Sequence, residues 1–121
     1  MKLSANLIYV SDIKRAKVWY GDVFGMEEIE SRPPEFLEMK LKDNTFWIET
    51  YNEKRSEGFK EVNVGGRHSA VFAVDDIKAV IQNLRAKGVR IVVEPAQQFW
   101  GGWNAVIADP DGNEFILDQD K

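Results

Sequence analysis

Val10-Ser11-Asp12-Ile13-Lys14 closes an apolar run and opens a helical pattern, and Val74-Asp75-Asp76-Ile77-Lys78 makes the same transition in the second half of the chain. In both copies an aspartate stands where its side-chain oxygen can cap the helix. Behind the first copy, Leu3 to Val10 is rich in strand-favouring residues. Ahead of it, Ile13, Ala16, Tyr20, Val23 and Phe24 recur at helical spacing as far as Gly25, a residue suited to the left-handed terminator. Glu27 to Ser31 reads as a short strand broken by Arg32-Pro33-Pro34. Glu35 to Lys42 alternates, Asp43-Asn44 offers turn chemistry, and Thr45 to Tyr51 completes a strand, helix, three-strand order.

Working outward from the second copy gives the same order. Ser69 to Val74 is a strand, and Ile77, Val80, Ile81 and Leu84 form a helical face ending at Gly88. Arg90 to Glu94 is β-branched and stopped by Pro95; Trp103 to Ala108 leads through the turn at Asp109 to Gly112 into Glu114 to Asp118. Asn52 to Gly66 is polar and glycine-containing, a linker between modules at 1–51 and 67–121 of one domain spanning 1–121. A four-stranded sheet with a single helix covers only one of its faces. The expected fold is therefore α+β, with two tandem strand-helix-three-strand modules forming a curved mixed sheet, helices outside and a concave cavity within.

Composition narrows the chemistry. The chain has 121 residues, 44% hydrophobic and 30% charged, enough for an ordinary core. It contains no cysteine, which excludes disulfides, thiolate metal sites and cysteine nucleophiles. A net charge of -4 with basic and acidic residues interspersed offers no footprint for a phosphate backbone, so nucleic acid is not an expected partner. No run is long enough to cross a bilayer and no targeting segment opens the chain; a cytoplasmic location with no membrane partner is the expectation.

The doubled order, the Val-x-Asp-Ile openings, Trp19-Tyr20 followed by Phe24-Gly25, and Asp109-Pro110-Asp111-Gly112-Asn113-Glu114-Phe115 together resemble the vicinal oxygen chelate superfamily of glyoxalases, extradiol dioxygenases and bleomycin-resistance proteins. The resemblance covers essentially the whole chain. It implies a cavity in which metal-using members hold a divalent cation between one histidine or carboxylate from the first and last strands of each half, leaving positions open for two substrate oxygens. It also implies a homodimer.

Carried over residue by residue, the resemblance places the first-strand ligands seven residues before the helix-opening aspartates, at Ala5 and Ser69, and the last-strand ligand of the second half at Ile116. In the first half, aligning Asp43-Asn44 on Asp111-Gly112 selects Ile48, and a shift of one residue selects Glu49. Alternation favours the shift, with Phe46 and Ile48 towards the helix and Trp47, Glu49 and Tyr51 towards the cavity. His68, the lone histidine, precedes Ser69; it reads as a solvent-facing residue at the strand start, and a register slip could swing it inward beside Glu49. No cofactor is expected, with His68 and Glu49 as the metal candidates if a divalent metal is used.

The remaining candidates describe a ligand cup. Tyr9, Trp47, Glu49, Tyr51, Ser69 and Glu114 are assigned to its wall, and Trp100 and Trp103 flank the glycine pair Gly101-Gly102 in an aromatic stretch able to lie over a planar or cationic ligand. Glu49 and Glu114 are the candidate general bases should the protein be an enzyme. The sequence favours a metal-free small-molecule-binding protein with an apolar, acidic and aromatic cavity over catalysis; the alternative is a divalent-metal-dependent glyoxalase-like lyase, isomerase or dioxygenase with non-standard ligands.

Overall fold

The computed structural model describes residues 1–60 and 62–121. The chain divides into two compact units, Met1–Gly65 and Gly66–Lys121. Each is a strand, a helix and three further strands, an α+β arrangement with the same order in both.

In the first unit β1 (Asn6–Tyr9) leads to α1 (Ile13–Phe24), then β2 (Glu27–Arg32), β3 (Phe36–Leu41) and β4 (Asn44–Glu49). The sheet order is β1-β4-β3-β2. The β1–β4 pair is parallel and the others are antiparallel. Parallel pairing is possible because α1, β2 and β3 intervene and carry the chain back to the same end. Asp12 caps α1 by accepting a hydrogen bond from Arg15 N at 3.1 Å, and Gly25 ends it at φ 75°, the left-handed conformation for which the missing Cβ is needed. Ile8, Leu37, Met39, Phe46, Ile48 and Tyr20 are buried between sheet and helix. Tyr20 is fully buried and packs against Trp19 and Phe24, so the aromatic run of α1 is packing.

The second unit repeats this with β5 (Gly66–Ala73), α2 (Ile77–Ala86), β6 (Arg90–Gln97), β7 (Trp103–Ala108) and β8 (Asn113–Gln119), in the order β5-β8-β7-β6. Asp76 caps α2 through Ala79 N at 3.1 Å, and the Gln119 side chain accepts from Ile77 N at 2.7 Å. The core holds Phe72, Ile81, Ala105, Ile107, Phe115 and Leu117. Two boundaries differ clearly from expectation: β5 starts at Gly66, before Ser69, and β6 continues through Pro95 to Gln97. β6 is an edge strand with register shifts on both sides of Val93, so the proline's missing N–H costs no regular ladder bond.

Candidate functional site

The geometry of each sheet is set by alternation. In β4, Phe46 and Ile48 are buried on the α1 side, which sends Trp47 and Glu49 to the opposite, distal face. Register brings Leu7 beside Trp47 and Tyr9 beside Glu49 from β1, and Glu38 beside Trp47 and Phe36 beside Glu49 from β3. Tyr9, Phe36, Glu38, Trp47 and Glu49 are therefore neighbours on one surface of the first unit.

Their contacts are specific. The Trp47 indole N–H donates to Glu38 Oε2 at 3.0 Å. The Phe36 and Trp47 ring centres are 6.3 Å apart at 59°. Glu49 is 7% exposed, and its Oε1 has the Arg55 guanidinium as its partner, contributed by the segment after β4. A carboxylate this buried is tolerable only with such a counter-ion. Arg32 lies over the Phe36 ring at 4.6 Å and pairs with Glu30 at 3.5 Å. Tyr51, assigned to the same wall from sequence, lies beyond the end of β4. It is exposed and lines a separate cavity of about 590 Å³ with the start of α1, Pro33 and Pro34.

The register of β4 also corrects the alignment of the repeat. Val10 N donates to Glu49 O, and Val74 N donates to Asp118 O. With the two Val-x-Asp-Ile openings superposed, Glu49 corresponds to Asp118 and Trp47 to Ile116. The fourth position is thus Trp47, neither Ile48 nor Glu49. The physical reason is the hairpin: Leu41 pairs with Asn44 across two residues, whereas Asp109 bonds Asn113 across three, so the second turn is one residue longer.

In the second unit, β5 alternates with Arg67, Ser69, Val71 and Ala73 exposed and Phe72 in the core. His68 falls on the core side. Its ring stacks on Phe115 at 4.9 Å and 20°, and its Nε2 lies 3.0 Å from Asn113 Oδ1. The solvent-facing expectation is corrected, and so is the inward swing: the ring is half-buried and engaged within its own unit. Asn113 belongs to a buried polar cluster in which Asp109 accepts from Asp111 N at 2.9 Å, Asn113 N at 2.8 Å and Asn113 Nδ2 at 2.8 Å. From sequence this motif reads as a turn and the cluster is missed; the paired Asp109 and Asn113 were the available signal, and His68 joins them only through the fold.

Glu114 and Asp118 do share the distal face with Ile116, but each has a partner. Arg67 Nε donates to Glu114 at 3.0 Å, and Asn104 Nδ2 donates to Asp118 at 2.9 Å. Trp103 points the other way: the Lys78 ammonium of α2 sits 4.4 Å from its ring centre, so the ring packs against the helix side. Trp100 is half-exposed on the β6–β7 turn, edge-on to the exposed Phe99 at 4.9 Å. A Cβ at Gly102 would stand 2.7 Å from Trp100 Nε1, so that glycine makes room for the indole.

These observations meet the comparisons with known proteins. The model of the Glyoxalase/Bleomycin resistance protein/Dioxygenase superfamily matches residues 2–117. The chain belongs to this superfamily. It is 34% identical to a lactoylglutathione lyase of Arabidopsis thaliana over 94% of its own length and 43% of that protein's, so it spans less than half of that relative. It is 28% identical to the YetH protein of Bacillus subtilis, covering 91% of each chain. A superfamily member from Sphaerobacter thermophilus shares the fold at a TM-score of 0.78 and 22% identity, over 99% of this chain and 98% of that one.

The metal that the superfamily implies can be tested against the donor set. Ala5, Trp47 and Ile116 carry no group able to bind a divalent cation, and Ser69 offers a neutral hydroxyl. Among the described residues no group of three or more His, Cys, Asp or Glu side chains is placed to hold an ion. The residues at these positions do not fit the cation.

Proposed function

We propose that this chain is a small-molecule-binding member of its superfamily that works without a metal, taking a planar, largely apolar ligand on the distal face of its first unit. The observation that carries this is the surface around Trp47: Phe36 and Trp47 present neighbouring rings, Tyr9 borders them, and Glu38 fixes the indole through its N–H. Trp47 occupies a position where the family's metal chemistry calls for a donor. Rings supply affinity by burial, and a few fixed polar groups supply orientation. The same reading includes a homodimer and a cytoplasmic location; among the described residues no helix is long and apolar enough to cross a membrane.

The test is calorimetric titration with a panel of planar aromatic compounds, alongside tryptophan emission. Binding is expected, with Trp47→Ala weakening it about tenfold. No heat and no emission change across the panel would overturn the proposal. The similarity to a lactoylglutathione lyase supports a second reading, a divalent-metal-dependent lyase. Elemental analysis of protein purified without chelator separates the two. The binding reading expects substoichiometric metal, and one equivalent of nickel, zinc, iron or manganese would favour the lyase.

A further inference from the structure

We infer that Arg55, held in place by Glu49, makes the distal face of the first unit select an anionic group, so that its ligand is a planar aromatic carboxylate. This rests on the proposed function and adds the charge that the site selects.

From sequence the surface is acidic, but among its described residues two of the three carboxylates are balanced by arginines, and the third keeps its charge beside a neutral donor. Glu38 accepts from the Trp47 indole, Glu30 pairs with Arg32, and Glu49 pairs with Arg55. The guanidinium of Arg55 is different. It carries five N–H donors in a rigid fork. The contact to Glu49 runs through one terminal nitrogen to one oxygen, and the side chain is 28% exposed with no other side-chain partner among the described residues. Donors therefore remain for a second acceptor. Burial of Glu49 makes the pair expensive to break, so the guanidinium is fixed before any ligand arrives.

Its position suits an aromatic acid. Glu49 lies in register with Tyr9 on one side and Phe36 on the other, and Phe36 carries the Arg32 guanidinium over its ring. An aromatic body resting on Phe36 and Trp47 would bring its carboxylate towards Arg55, where two parallel N–H bonds are the strongest arrangement available to either partner. Arg55 then acts as the specificity residue, and Glu49 is a positioning residue rather than a base.

The experiment uses three probes of one shape: naphthoate, its neutral primary amide and the corresponding naphthylmethylammonium. Calorimetry on the wild-type chain should give naphthoate about tenfold tighter binding than the amide, with the ammonium weakest and the preference shrinking in high salt. Arg55→Gln should collapse the carboxylate-to-amide ratio, with naphthoate losing far more affinity than the amide, and Arg55→Lys should restore part of the ratio. Glu49→Gln should lower the ratio because naphthoate loses more affinity than the amide, whereas general loosening of the fold would weaken both alike. If the Arg55→Gln chain does not fold, the wild-type ratio and its salt dependence decide. Equal binding of the three probes, or tightest binding of the ammonium, overturns this inference and leaves the proposed function standing. Binding of none overturns both.

Discussion

The two units share their strand order and their helix caps, yet they bury polar groups at opposite ends of the same strands. In the second unit the polar cluster lies at the start of β8, where Asp109 collects three hydrogen bonds and Asn113 passes the network to His68. The corresponding turn of the first unit is bare by comparison, with Asn44 Nδ2 donating to Leu41 O at 3.3 Å in an exposed hairpin. At the other end the contrast reverses. Glu49, at the end of β4, is buried with Arg55, while its counterpart Asp118 accepts a hydrogen bond from the neutral Asn104. The apolar half of each module is set by what packs on the helix and has been held. The distal half is free of that demand and has diverged.

Substitutions can break this comparison if it is wrong. The largest effect is expected at the turn: Asp109→Ala orphans the buried Asn113 N–H, the Asn113 side-chain amide and the half-buried Asp111 N–H, and should cost about 3 kcal/mol, read from the midpoint of chemical denaturation. Asp43→Ala, in the hairpin turn of the first unit, should stay within about 0.5 kcal/mol, and comparable losses at both turns would erase the contrast. Glu49→Ala should come next, at about 2 kcal/mol, because it strands a partly buried guanidinium; the exposure of Arg55 keeps the figure below that of a fully buried pair. Capping is the shared feature and provides the internal standard. Asp12→Ala and Asp76→Ala should each cost about 1 kcal/mol, and a twofold disparity would show that the helices are not held equivalently. Smallest is Glu114→Ala, where the pair with Arg67 is exposed enough to be worth under about 0.5 kcal/mol.

Individual residues show how far the chain could be read unaided. The core side of β4 followed from alternation, since Phe46 and Ile48 could not share a face with Glu49. Ala5, Ser69 and Ile116 could be recognised as poor metal ligands from their chemistry alone. His68 could not be placed: whether a residue at a strand start faces core or solvent depends on where pairing begins, and β5 begins three residues earlier than its apolar pattern suggests, at Gly66. Nor could Trp103 be assigned a side, because an aromatic residue satisfies either face and the Lys78 ammonium of α2 marks which one it took. The ion pairs of Glu30 and Glu49 on the distal surface could not be read either, because sequence counts carboxylates without their partners.

The sequence by itself determined the architecture and the superfamily, because helical and strand periodicities, caps and turn residues are local signals that the repeat states twice. Tertiary structure decided the one-residue offset between the hairpins, the turn of His68 towards Phe115 and the capture of Glu49 by Arg55. These depend on loop closure and on pairing between residues distant in the chain, and neither leaves a mark at the positions it controls.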